Sequence, residues 1–162
     1  MVRTAFVALG SNLDDPSRHV LRAMDELETL SGTRVQRRSS LYRTAPVGEP
    51  DQPDFINAVA QIETTLDPQE LLAGLLGIER QHGRVRSRPN APRTLDLDLL
   101  LYDAWTLDTP ELQLPHPRMH ERAFVLLPLA EIAPDLSIPG RGPVAALLPA
   151  VGQQRVVRVD AR

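Results

Sequence analysis

Apolar residues along the chain keep two rhythms, and each rhythm predicts a kind of element. Thr4 to Gly10, TAFVALG, is a nearly continuous apolar run closed by Gly-Ser-Asn, which predicts a buried strand. From Pro16 to Leu30 the positions Val20, Leu21, Met24, Leu27 and Leu30 recur at helical spacing, with Pro16 near the start and Ser31-Gly32 at the stop. Thr33 to Arg43 reads as a polar, half-exposed strand. The Pro-rich APVGEPDQPD is a loop too long for a tight hairpin, and Phe55 to Leu66 reads as a further strand. Asp67 and Pro68 suit the N-cap and first position of a second helix, whose stripe is Leu71, Leu72, Leu75, Leu76 and Ile78 and whose C-terminal cap is Gly83. After RVRSRPNAPR comes a strand in which Leu95, Leu97 and Leu99 alternate with Asp96 and Asp98.

The predicted order is therefore β-α-β-β-α-β, an α+β class chain with the ferredoxin-like arrangement of an antiparallel sheet and two helices on one face. About 60 residues follow: a possible hairpin around Trp105, the Pro-rich LPHPRMHERAF, a helical VLLPLAEIAP, a short apolar helix from Val144 to Leu148, and a final strand RVVRV. No flexible linker separates this tail, so residues 1–162 are expected to form a single domain, the tail being an extension that covers and furnishes it.

The acidic strand carries the chemical question. A period of two puts Asp96 and Asp98 on one face, with Cα atoms about 6.7 Å apart. Two carboxylates at about that distance repel by roughly 2–3 kcal/mol at an effective dielectric near 20, so a cation belongs between them. A solvated acidic strand face is the plainer alternative for a D-x-D pair taken alone. The preceding segment changes the balance, because Arg80, Arg84, Arg86, Arg88 and Arg93 follow one another with no acidic residue among them. Exposed ion pairs contribute only about 0–1 kcal/mol each, so stability is a poor reason for such a loop. Guanidinium forks beside paired carboxylates suit a polyphosphate with its magnesium.

Composition narrows the chemistry further. There is no Lys, all 18 basic residues being Arg, which excludes a P-loop lysine and Schiff-base catalysis. The absence of Cys excludes disulfides, thiolate zinc sites and cysteine nucleophiles, and fits a cytoplasmic location. A net charge of −3 with 4% aromatic residues argues against a general nucleic-acid binder. No apolar run approaches the roughly 20 residues of a membrane span.

Taken together, VALGSNL, YRTAPVG, DQPDFIN, GRVRSRPNAPRTLDLDLLLY and LPHPRMHERAFVLLPLAEIAP resemble, in order and over nearly the whole chain, the 6-hydroxymethyl-7,8-dihydropterin pyrophosphokinases of folate biosynthesis. The resemblance implies transfer of pyrophosphate from ATP to the pterin hydroxymethyl group with two magnesium ions. It implies Asp96 and Asp98 as metal ligands, Arg84 and Arg93 as triphosphate-binding catalytic arginines, and Arg86 in a loop closing over the nucleotide. His116 and Arg122 would be further phosphate contacts, and Glu79 an acidic residue near the nucleotide. Phe55 and Phe124 would sandwich the pterin, Asn57 would read its amide-like edge, and Thr44, Ala45 and Val47 would reach it through their backbone. The chain departs from the family's well-known bacterial members in lacking an aromatic residue in the Arg-rich loop, in Pro117 after the histidine, and in Leu76.

The resemblance implies in-line attack on the β-phosphorus with AMP leaving, and such a transfer is expected to be driven by positioning and charge neutralisation with no essential general base. A non-catalytic ferredoxin-like module that binds a nucleotide or nucleic acid, and a phosphatase on the same scaffold, are the competing readings. The expected partners are ATP and the pterin alone, with no nucleic acid or membrane, and the simplest assembly is a monomer.

Overall fold

The computed structural model describes residues 1–46, 51–83 and 94–159. Its elements run β1 (Arg3–Ser11), α1 (Pro16–Glu26), β2 (Thr33–Arg38), β3 (Leu41–Thr44), β4 (Phe55–Thr64), α2 (Pro68–Gln81), β5 (Asp96–Tyr102), β6 (Leu107–Asp108), β7 (Gln113–Leu114), α3 (Ala123–Ile132), β8 (Ser137–Ile138), β9 (Gly142–Pro143), α4 (Val144–Leu147) and β10 (Val156–Val159). The class is α+β. One antiparallel sheet has the order β10-β3-β4-β1-β5, with β2 also paired to β4; β6-β7 and β8-β9 are separate two-stranded ribbons.

Alternation in the central strands divides the interior in two. Ala5, Val7 and Leu9 of β1, with Ile56, Ala58, Ala60 and Ile62 of β4, face α1 and α2. Phe6 of β1 and Val59 of β4 face the opposite way, onto α3, Val144 and Val151. The tail therefore lays a third helix on the second sheet face, and its last strand joins the sheet through β3. Helix α2 starts where the sequence places it, because Asp67 and Glu70 form a reciprocal capping box at 2.8 and 2.9 Å. At its end buried His82 bonds Glu26 at 2.5 Å and His19 at 2.6 Å, tying α2 to α1.

Three elements differ from the sequence reading. Helix α1 stops at Glu26 and its last turn, Leu27–Thr29, tightens to 3-10 geometry. The predicted strand from Thr33 to Arg43 is two strands on the same edge of β4, interrupted at Ser39-Ser40. There the Ser39 hydroxyl, rather than a ladder carbonyl, accepts the Val59 N–H at 2.9 Å, while Ser40 turns its own N–H out to Glu131 of α3 at 2.9 Å. Tyr42 donates to the same carboxylate at 2.7 Å, so the break is also the anchor that fixes α3 against β3. The hairpin expected around Trp105 lies further on, as β6 and β7, with Trp105 in the preceding turn over Tyr102 and Arg3.

One irregularity prepares the site. Between β1 and β5 the register moves from Val7↔Leu99 to Phe6↔Leu101, leaving Leu100 as an extra residue. Its carbonyl accepts the backbone N–H of His116 at 2.9 Å, which fastens the Pro-rich segment to the sheet.

Ser39→Ala removes the acceptor of the buried Val59 N–H. The expected loss is about 1–3 kcal/mol of unfolding free energy by denaturant titration, with the denaturant dependence unchanged.

Candidate active site

The D-x-D pair sits where the sheet has its smallest side chains. Antiparallel pairing sets Asp96 opposite Gly10 and Gly10 opposite Asn57, and sets Asp98 opposite Ala8. Directly paired residues share a face, so both carboxylates, the bare backbone of Gly10 and the Asn57 amide form one floor. It faces α3 rather than α1 and α2. Gly10 keeps this approach close: a Cβ there would stand 3.1 Å from Asn57 Oδ1, and the Asn57 amide would have to give way. Asn57 is buried and donates from Nδ2 to Thr44 Oγ1 at 2.9 Å, which orients its amide across the floor.

Above that floor is a cavity of about 560 Å³. Thr44, Ala45, Phe55, Asn57, Asp96, Asp98, His116, Arg122 and Phe124 all line it, so residues that the sequence assigns to metal, phosphate and pterin converge on one space. Aromatic rings come from β4 (Phe55) and α3 (Phe124), and the Arg122 guanidinium lies 5.5 Å from the Phe124 ring centroid. A second cavity of about 440 Å³ shares Asp98 and His116 with the first and continues along Leu72, Leu76 and Leu99 to Leu112 and Gln113. The acidic end of the floor is thus the junction of two compartments.

Glu79 is tied to the acidic strand from below. It is buried under β5 and its carboxylate accepts the Leu97 N–H at 2.8 Å, so it holds the acidic strand against α2 and lines neither cavity. Val47, Arg84, Arg86 and Arg93 lie outside the described residues. Sequence reasoning missed Ala8, Gly10, Arg118, Glu121 and Gln154, all of which line the first cavity. Small residues alternating with Val7 and Leu9 beside a D-x-D strand were a signal for the first two, whereas nothing in the local pattern marks Gln154.

A family model described as 7,8-dihydro-6-hydroxymethylpterin-pyrophosphokinase (HPPK) matches residues 6–134. The chain belongs to this family. An HPPK relative from Pseudomonas aeruginosa, a 2-amino-4-hydroxy-6-hydroxymethyldihydropteridine pyrophosphokinase, is 45% identical over 159 residues, covering 98% of each chain. A protein of the same name from Haemophilus influenzae is 43% identical over 97% of this chain and 98% of its own. Among solved structures, wild-type Plasmodium falciparum HPPK-DHPS with pteroate superposes with a TM-score of 0.72 at 14% identity, covering 94% of this chain. This chain spans 45% of that longer one, and the likeness is one of fold.

The donor set of the HPPK chain at the junction is hard oxygen: two half-buried carboxylates on one strand face. Among the described residues no group of three or more His, Cys, Asp or Glu gathers around a metal position. Two carboxylates are what magnesium typically takes from a protein when phosphates and water complete its shell, so the residues fit that ion.

His116 is held in one tautomer. Its Nδ1 accepts the Arg118 backbone N–H at 3.1 Å, so in the neutral ring the proton is on Nε2. Burial lowers its pKa to about 4, with Arg122 and Arg118 pushing the same way and Asp96 opposing. Burial and His82 likewise lower the pKa of His19. Below the ordinary value of about 6.5 the unfolded chain therefore binds more protons than the native one, and stability falls as pH drops from about 6.5 towards 4. Proton NMR of the His116 ring is expected to show a midpoint near 4, rising in Arg122→Ala and falling in Asp96→Asn. A midpoint near 6.5 in the native protein contradicts this account of the ring.

Proposed function

We propose that the chain transfers the pyrophosphoryl group of ATP to the hydroxymethyl oxygen of 6-hydroxymethyl-7,8-dihydropterin, giving the pterin diphosphate and AMP in folate biosynthesis. The observation that carries this reading is the junction: an aromatic, amide-floored cavity and a leucine-lined one meet at Asp98 and His116. A flat heterocycle suits the first and a nucleotide base the second, which sets the reacting groups against each other at the carboxylates.

In the first compartment Phe55 and Phe124 stack on the pterin, worth about 0.5–1.5 kcal/mol beyond buried area, and Asn57 supplies donor and acceptor to its amide-like edge. Thr44, Ala45 and Val47 offer backbone groups. In the second, Leu72, Leu76 and Leu112 cover the base, an apolar lining that suits Leu76 to its place. His116 Nε2–H and the Arg122 guanidinium bond phosphate oxygens between the compartments; a neutral histidine donates one hydrogen bond there and adds no charge. Arg84, Arg86 and Arg93 are assigned to the triphosphate by the family's Arg-rich motif, and Glu79 serves it indirectly by fixing β5. Asp96 and Asp98 hold magnesium, two ions in this reading, which supplies charge neutralisation along the triphosphate when bound. The hydroxyl oxygen bonds to the β-phosphorus and gives up its proton to water as the bond from that phosphorus to the α-phosphate oxygen breaks and AMP leaves, and the residues contribute alignment and charge balance rather than a general base.

The fold reading completes the proposal. The order β5-β1-β4-β2/β3 with α1 and α2 on one face supports a ferredoxin-like core. Pairing of β10 with β3 supports residues 1–162 acting as one domain. A monomer in the cytoplasm, using small-molecule substrates only, is the simplest setting; among the described residues no helix is long and apolar enough to cross a membrane.

Incubation with MgATP and the pterin, followed by phosphorus NMR, is expected to yield AMP and pterin diphosphate in equal amounts. ADP instead means ordinary phosphoryl transfer, free phosphate without a pterin product means a phosphatase, and no turnover means a binding module. Asp96→Asn or Asp98→Asn is expected to lower turnover by roughly a hundredfold or more while the fold melts cooperatively. Phe55→Leu, which roughly keeps packing volume, is expected to weaken pterin binding in calorimetry; unchanged affinity returns that ring to the core.

A further inference from the structure

Arg122 occupies a capping position that its own side chain does not cap. It is the N-cap of α3, where Ser, Thr, Asp or Asn normally accepts a first-turn N–H, and no side-chain cap bond is made there. A guanidinium also sits at the positive end of the helix dipole, the unfavourable end for a cation. Local preference at this point is overridden, as it tends to be where function dictates the residue.

The repair comes from Gln154, far along the chain. Gln154 Oε1 accepts the Ala123 N–H at 2.9 Å, and Gln154 Nε2 donates to the Glu121 carbonyl at 2.8 Å. One amide thus bonds the peptide on each side of the Arg122 Cα. The remaining groups of those two peptides are also held: the Arg122 N–H donates to the Met119 carbonyl at 3.3 Å, and the Arg122 carbonyl accepts from Leu126 at 2.9 Å. With both peptide planes pinned, φ and ψ of Arg122 are fixed at −118° and 111°. Gln154 itself is set by a turn, its N–H donating to the Val151 carbonyl at 3.0 Å, just before β10 enters the sheet.

We infer that Gln154 is a positioning residue for Arg122: it fixes the backbone from which the guanidinium reaches the cavity over Phe124. The inference rests on the reading of Arg122 as a polyphosphate contact. It places part of the phosphate-binding machinery outside residues 6–134, in the C-terminal segment that the family model does not reach. The Gln side chain is suited to the task because it offers an acceptor and a donor on one rigid plane, matching a peptide N–H on one side and a carbonyl on the other.

A double-variant cycle tests it. Gln154→Met keeps the length of the side chain and removes both bonds, and the residue is exposed, so a cooperative melt is expected. It is expected to lower kcat/KM for MgATP about tenfold, with pterin affinity in the absence of nucleotide within about threefold of wild type. In an Arg122→Ala background the same change is expected to cost less than about twofold, because the residue it positions is gone. Equal losses in both backgrounds, or a Gln154→Met enzyme within twofold of wild type, overturn the inference while leaving Arg122 in its role. Near-normal kcat/KM in Arg122→Ala alone overturns the reading of Arg122 instead. Should Gln154→Met not melt cooperatively, Gln154→Asn, whose shorter arm cannot span both peptides, carries the same comparison with the same expected outcomes.

Discussion

The strand period of β5 keeps two carboxylates on one face and denies them any escape. Asp96 cannot turn away without taking Leu95 and Leu97 out of the apolar interior against α2, where both are buried. The like charges are therefore held together by the same alternation that builds the core, and the surroundings adapt to them. Gly10 and Ala8 lie opposite and leave room above the sheet. Helix α3, anchored through Glu131 to Ser40 and Tyr42, covers the far part of this face and leaves the acidic end open as a cavity. The extra residue at Leu100 offers the carbonyl that brings His116 to the same end.

The first cavity lies over one face of the sheet, while the opposite face packs α1 and α2. The face under α1 and α2 is mainly apolar, and the buried Glu79 carboxylate accepts a strand N–H there. The opposite face combines a packed patch around Val59 and Leu126 with a polar floor at Asn57 and Asp96. Polar groups held in a sheet rather than in mobile side-chain networks lose little ordering entropy when a ligand arrives, which suits a reaction that depends on alignment.

Much of this was legible in the sequence because it follows from local chemistry. The capping box at Asp67 and Glu70, the period-two strand at Asp96 and Asp98, and the apolar run at Val7 and Leu9 each announce their element within a few residues. The nine predicted residues that meet in the first cavity were legible through motif resemblance. What stayed hidden depends on partners distant in sequence. Ser39 looks like any strand serine until Val59 is placed beside it, and Trp105 looks like a hairpin tip until its ring packs on Tyr102. Leu112 and Gln113 carry no motif that marks them as lining the second cavity. Gln154 acts through two peptides more than 30 positions away, and the Glu79 carboxylate accepts the N–H of Leu97 on another element.

On the proposed reading, the carboxylate pair of β5 receives magnesium together with a polyphosphate. Calorimetric titration of ATP into the wild-type chain and into the Asp96→Asn/Asp98→Asn double variant, each with magnesium and with chelator, tests it without requiring turnover. Wild type is expected to bind ATP at least about tenfold more tightly with magnesium, about 1.4 kcal/mol, and the double variant to lose that difference while melting cooperatively. A folded double variant that keeps the full magnesium-dependent gain in affinity contradicts the account.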